Sequence, residues 1–351
     1  MRADRVFAYG AAAGLLGDLL LGDPRRGHPV AAFGRAAGAV ERVLWRDHRG
    51  WGALHTVVCA GGATGLAALA RHSVRRSRTA SIALTAAATW AVVGGTSLGR
   101  EARAIGDALA VGDVEVARER LPHLCGRDPQ ALDSDGIARA VVESVAENTS
   151  DAVVGALVWG AVGGVPGLVA FRAVNTLDAM VGHKSPKYRR YGWASARLDD
   201  VAGWPGARLT AVLAAVAGRD RRGAVRAWRT DAPKHPSPNA GPVEASFAGA
   251  LGVRLGGTLS YGGRVEHRPV LNGAGRAVAV RDIERAVRLS RRVSWLALGA
   301  SAAGALLWGR VTRHPAPRAV PTLPRALGLA RPGGTPSALR NDGTQRWRTT
   351  S

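Results

Sequence analysis

The chain alternates between long runs without charge and short segments crowded with polar side chains. Gly50–Ala70 holds no ionisable residue other than His55 and Cys59, while Ala80–Gly99, Ala152–Phe171 and Val293–Gly309 carry no charged residue at all. Val6–Gly22 is equally apolar except for one acid, Asp18. About 20 apolar residues in a helix match the hydrocarbon core of a bilayer. The pattern predicts an all-α fold, a polytopic integral membrane protein with spans over 6–22, 50–70, 80–99 and 293–309. Gly61 and Gly65, at the Gly-x-x-x-Gly spacing, suit close packing between such helices.

Ala152–Phe171 departs from this pattern because "GGVPG" (Gly163–Gly167) halts a helix near its midpoint. Each half is about ten residues, too short to cross. A re-entrant or buried helical hairpin is expected over 152–171, its irregular backbone covered by protein and its flanks on one side. Val201–Gly218 is apolar but contains Arg208, Pro205 and several glycines, and reads as an interfacial segment. Residues 1–312 form one expected membrane-embedded domain, and the Arg/Pro-rich stretch 313–351 reads as a disordered tail touching anionic lipid.

Charge alters this picture less than its size suggests. A net charge of +22 ordinarily points to nucleic acid. The uncharged runs point to a lipid bilayer instead, and no nucleic-acid partner is expected. Arginines flank the 50–70 run on both sides, so the positive-inside rule leaves orientation open. Cys59 and Cys125 form no CxxC pair and no disulfide framework. Of 48 basic residues only Lys184, Lys187 and Lys234 are lysines, each in a polar segment. Lysine is a compact point charge suited to a phosphate oxygen. Asn148, Asn175 and Asn239 mark the same segments.

Four polar segments carry the candidate chemistry. "GDPRRGHPV" (Gly22–Val30) is a turn displaying Asp23 and His28. "AVVESVAENTSDAVV" (Ala140–Val154) places Glu143, Glu147 and Asp151 on one helical face. Such a stripe is either a solvated acidic face or a Mg²⁺ site built from oxygen ligands. "FRAVNTLDAMVGHK" (Phe171–Lys184) aligns Arg172, Asn175 and Asp178 on one side of a helix, followed by a basic loop with Lys184 and Lys187 and then Asp199 and Asp200. The fourth, Asp231–Gly257, stands Lys234, His235, Ser237 and Asn239 on a proline-stiffened loop ahead of Glu244, with a further turn at Tyr261–Gly263. No phosphate-loop, dinucleotide, zinc-protease or nucleophile-elbow signature is present.

These motifs, in this order, resemble the CobD/CbiB family of cobalamin biosynthesis, the adenosylcobinamide-phosphate synthases. "GDPRRGHPV", "ESVAENTSDAVV", "FRAVNTLDAMVGHK", "YGWASARLDDVAGWPGARLT", "KHPSPNAG" and "GALGVRLGG" carry the resemblance, over most of residues 14–295. It implies a multi-pass cell-membrane enzyme with a cytoplasmic site, working alongside other corrin-pathway enzymes. It further implies ATP-dependent joining of aminopropanol, or (R)-1-amino-2-propanol phosphate, to adenosylcobyric acid, with ATP and Mg²⁺ consumed or bound and the corrinoid as substrate. On that footing Glu143, Glu147 and Asp151 are expected to hold the metal with help from Asp178, and Arg172, Lys184 and Lys187 to meet nucleotide phosphates. Lys234, His235 and Asn239 are expected at the aminopropanol phosphate or a corrin carboxamide, with His235 the candidate base. Asn148 and Asn175 are expected at corrin amides, and Asp23, His28 and Glu244 elsewhere in substrate binding. The alternative is a corrinoid-binding transporter or scaffold without catalysis, a reading to which the acid in the first apolar run lends weight.

Overall fold

The apolar runs become helices, with one expected span broken. The computed structural model describes residues 3–23, 27–261 and 264–311. The tail 313–351, Pro24–Arg26 of the first polar turn and Gly262–Gly263 of the last lie outside these residues. Helices α1 (Ala3–Leu21), α3 (Arg49–Val74) and α13 (Arg281–Val311) coincide with the runs at 6–22, 50–70 and 293–309. The run at 80–99 does not form one helix. Helix α4 (Arg78–Val92) ends at Val93, whose backbone is extended, and α5 (Gly95–Ala110) starts anew.

Asp18 helps hold that break. Its Oδ2 accepts from the backbone N–H and the hydroxyl of Thr96, both at 3.0 Å. A carboxylate on α1 thereby satisfies a first-turn amide of α5, a position favoured by hydrogen bonding and by the helix dipole. The acid that hinted at transport is a cap between helices.

Helices α2 (Pro29–Leu44) and α6 (Val114–Arg120) lie at the ends of this first group. Helix α7 (Ser134–Asn148) then runs into a π-helical turn (Thr149–Val154) and α8 (Gly155–Gly163). Gly164, at φ 65°, reverses the chain into α9 (Val165–Val181). Pro166 sits in the first turn of α9, where its missing N–H breaks no helical bond. This is the helical hairpin expected at 152–171. Helix α10 (Trp193–Ala217) packs on it so tightly that a Cβ on Gly206 would lie 2.8 Å from the Cα of Gly155. The segment expected to be interfacial is one half-buried part of α10, with Ala207, Ala211 and Ala214 inside and Val201, Trp204, Val212 and Val216 exposed.

Helices α11 (Arg221–Asp231) and α12 (Ala240–Leu251) lead to an antiparallel ribbon, β1 (Leu255–Tyr261) with β2 (Arg264–Leu271). The all-α expectation holds apart from this ribbon. Helices α7 and α12 form the centre: Val141, Val142 and Val145 of the first and Val243, Phe247 and Ala248 of the second are fully covered.

Helix α3 is the opposite case. Only 28% of its most apolar window is buried, and Trp51, Leu54, Val58, Leu66 and Leu69 are exposed. Exposed apolar surface of this kind marks contact with lipid or another chain. Among the described residues two helical stretches are long and apolar enough to cross a membrane, Arg49–Val74 and Arg78–Ala110, the second containing the break at Val93.

Asp18→Ala should lower the melting temperature of the purified chain, since loss of a helix cap costs about 1–2 kcal/mol. Asp18→Asn keeps an accepting oxygen and should restore most of that loss in the same melting experiment.

Candidate functional site

The second, third and fourth polar segments open onto one cavity of about 1140 Å³. That exceeds the roughly 300–1,000 Å³ of most small-molecule sites. Five carboxylates line it: Glu147 at the end of α7, Asp151 in the π-helical turn, Asp178 on α9, and Asp199 and Asp200 on α10. Basic groups line it too, among them Lys184 and Arg189 from the loop before α10, Arg197, Lys234 and Arg268. Ser237 and Asn239 complete the wall ahead of α12.

Crowding sets the electrostatics. Burial, then the neighbouring Asp178, pushes the Asp199 carboxyl up to about 7, against a 3.4 Å hydrogen bond donated by Asn175. Burial and Asp200 raise Asp178. Asp151 is raised well above the ordinary range by burial first, then by Asp199 and Glu147, with Arg172 opposing. Like charges this close do not all ionise at neutral pH without a cation to offset them.

The three-carboxylate stripe is not assembled as expected. Glu143 turns inward, where it pairs with Arg127 and accepts from the backbone N–H of Gly256 at 2.7 Å. Glu147 and Asp151 alone of the three reach the cavity. Among the described residues no group of three His, Cys, Asp or Glu side chains stands ready as a metal ligand set. The π-helical turn separates neighbours to different sides: Asn148 and Ala152 line a second cavity of about 310 Å³ with Asp23, Glu101, His123 and Arg172. The first polar segment thus contributes Asp23 to this smaller space rather than to the larger one.

Other expected residues are placed unevenly. Lys184, Lys234 and Asn239 line the large cavity. Lys234 also donates to Asp231 at 2.7 Å, and Asn239 bridges Arg208 and the carbonyl of Asp200. Lys187 does not line it; its Nζ donates to Glu41 and to the Tyr188 hydroxyl, each at 2.8 Å, fastening the loop to α2. Its expected role at a phosphate is replaced by an ion pair. His28 caps α2 by accepting from the Val30 N–H, with Asp23 3.7 Å away.

His235 borders the cavity but looks inward. Its Nδ1 is engaged by the backbone of Ser237, and its Nε2 is buried 3.9 Å from Oε1 of Glu244. Burial lowers the His235 pKa and, together with Glu147 and Glu143, raises that of Glu244 well above the usual range. An uncharged buried pair, not an outward-facing base, is the result. Asp199, Asp200, Arg189, Arg197 and Arg268 were not singled out as site residues by sequence; the Asp-Asp pair closing the basic loop was the one visible signal for the first two.

Sequence comparison places the chain among known relatives. Residues 11–290 match the family model described as CobD/Cbib protein. The chain is 55% identical over 290 residues to the Cobalamin biosynthesis protein CobD of Mycobacterium tuberculosis (strain ATCC 25618 / H37Rv), covering 82% of this chain and 92% of that one. It is 44% identical over 308 residues to the protein of the same name from Chromobacterium violaceum, covering 85% and 96%. No solved structure matches it.

Arg127→Met should strip Glu143 of its countercharge and destabilise the fold by about 3–5 kcal/mol, as broken buried pairs do. Glu147→Gln, at the cavity wall, should leave the unfolding midpoint within about 0.5 kcal/mol of the parent. Denaturant unfolding followed by circular dichroism separates the two. Equal midpoints for Arg127→Met and the parent would return Glu143 to the list of cavity groups.

Proposed function

The chain belongs to the CobD/Cbib family of cobalamin biosynthesis proteins, and from that premise we propose that it is a membrane-embedded amide ligase. Its reaction joins aminopropanol, or (R)-1-amino-2-propanol phosphate, to the propionate carboxylate of adenosylcobyric acid, with ATP consumed. The observation that carries this reading is the convergence of three distant polar segments on one large cavity holding both acids and bases. Exposed apolar side chains along α1, α3 and α13 support the membrane placement.

The cavity carboxylates, though not preassembled as a ligand set, suit a magnesium ion that arrives with nucleotide phosphates. Glu147, Asp151, Asp178 and Asp199 offer the hard oxygen ligands that Mg²⁺ takes, and their mutual repulsion is what a divalent cation relieves. When bound, Mg-ATP supplies the phosphoryl group that converts the propionate into an acyl phosphate. Lys184, Lys234, Arg189 and Arg268 hold phosphate oxygens and offset charge on the group in transfer. The smaller cavity, with Asp23 for an ammonium and Arg172 for a phosphate, suits the short amine donor. The amine nitrogen then forms the C–N bond, inorganic phosphate leaves, and the amine's proton passes to a carboxylate. That acceptor is a carboxylate of the cavity wall rather than His235, whose nitrogens face inward.

Purified full-length chain in detergent, given adenosylcobyric acid, the amine and Mg-ATP, should form the amide, read by mass spectrometry. Glu147→Gln, Asp178→Asn and Lys234→Ala should each reduce turnover by about 100-fold or more, the scale of losing one electrostatic contact at a reacting centre. Undiminished turnover in all three overturns the site. Corrinoid retention without ADP release makes the chain a carrier instead.

Titration gives a separate check. A protonated Asp199 ligates poorly, so Mg²⁺ affinity should fall as pH drops below about 7 and recover above it. Calorimetric titration at several pH values should show that step, and Asp199→Asn should flatten it.

A further inference from the structure

Helix α13 starts with a stripe of arginines before it becomes apolar. Arg281, Arg285, Arg288 and Arg292 recur at intervals of four, three and four, which puts them on one helical face. With Arg219, from the turn after α10, they border a groove of about 310 Å³. Ala250, Leu251 and Leu289 give it an apolar side.

Two of the five charges are spoken for. Arg285 pairs with Asp282 at 2.5 Å and donates to the carbonyl of Leu251 at 2.8 Å, while Arg288 pairs with Glu284 at 3.1 Å. Among the described residues Arg219, Arg281 and Arg292 make no ion pair. Three guanidiniums of like charge thus surround one concavity without a counterion among the described residues. The site sits where α13 changes character: from Val293 the helix is apolar, with Trp295, Leu296 and Leu307 exposed. Ser290 at that boundary accepts from the Thr149 hydroxyl at 2.6 Å, so the groove and the π-helical turn flanking the large cavity lie at the same level of α13.

We propose that this groove binds the headgroup phosphate of an anionic phospholipid. Guanidiniums match phosphate oxygens in pairs, and a basic pocket directly beside an apolar span meets headgroups at the membrane surface. Trp295 and Leu296, exposed one turn beyond Arg292, offer the start of the acyl chains an apolar surface for which a free phosphate would have no use. This inference rests on the membrane placement proposed above but not on the ligation chemistry.

The test uses the full chain in a neutral detergent, titrated with dioleoylphosphatidylglycerol, dioleoylphosphatidylcholine and inorganic phosphate, with binding read by native mass spectrometry and thermal melting. The anionic lipid should bind saturably and at least tenfold more tightly than the zwitterionic one, and should raise the melting temperature. Arg281→Gln with Arg292→Gln should weaken that binding at least tenfold; the single substitutions, at one exposed charge each, serve if the double variant melts early. Equal affinity for both lipids, or unchanged binding by the variants, overturns the proposal. So does displacement of the lipid by inorganic phosphate at matching concentration, which would make the groove a site for a soluble anion. Amide formation measured on the same preparations keeps the two readings apart: lipid preference without ligation removes the catalytic proposal alone, and ligation without lipid preference removes this one alone.

Discussion

A single buried carboxylate holds the centre of this fold in register. Glu143 lies in the middle of a helix covered on all sides, where an uncompensated charge is not tolerated. Arg127 supplies the opposite charge and Gly256 an amide hydrogen. Three parts of the chain are therefore tied at one point: the loop before α7, α7 itself and, more than 100 residues on, the entry to β1. Replacing such a pair by apolar groups is often tolerated, whereas removing one partner is not. The pair is best understood as a specification of which face of α7 points inward. With that face settled, the next acid along, Glu147, is turned to the cavity.

Beyond that point the chain departs from the regular helix, and the departure arranges the chemistry. One wide turn sends Glu147, Ser150 and Asp151 into the larger space and Asn148 and Ala152 into the smaller. Arg172, arriving from the opposite arm of the hairpin, lines the smaller space while its charge acts on Asp151 in the larger. The two compartments are thus separated by little more than a layer of side chains. The ligation proposed above, of a bulky partner to a small one, would use such an arrangement: separate berths and a short path between their reacting ends.

Much of this was legible from residue order. The helical hairpin followed from Gly163–Gly167, because glycine and proline act locally and leave a plain signature. The shared cavity was implied by polar clusters of scarce residue types, Lys and Asn. What stayed hidden were decisions made by distant partners. Whether Glu143 faces a metal or an arginine depends on Arg127 and Gly256, which no helical periodicity reveals. Asp18 read as a functional intramembrane acid until Thr96 was seen beneath it, and the same contact explains why an uncharged run of spanning length is two helices. Lys187 looked free for phosphate because Glu41, 146 positions earlier, carries no sequence mark of the pairing. His235 looked like a base because the orientation of a ring is set by its neighbours. The ribbon β1–β2 was missed since a lone pair of strands has no repeat to announce it.

The six-residue π-helical turn at Thr149–Val154 has one more consequence, for how this stretch can change over time. Wide turns of this kind arise as single-residue insertions into ordinary helices and are erased by single deletions. Substitutions within it alter one side chain each, whereas a single deletion would return the stretch to regular helix and remove the bulge that divides its side chains between the two spaces. Length, more than residue identity, is the quantity this part of the chain has least freedom to vary.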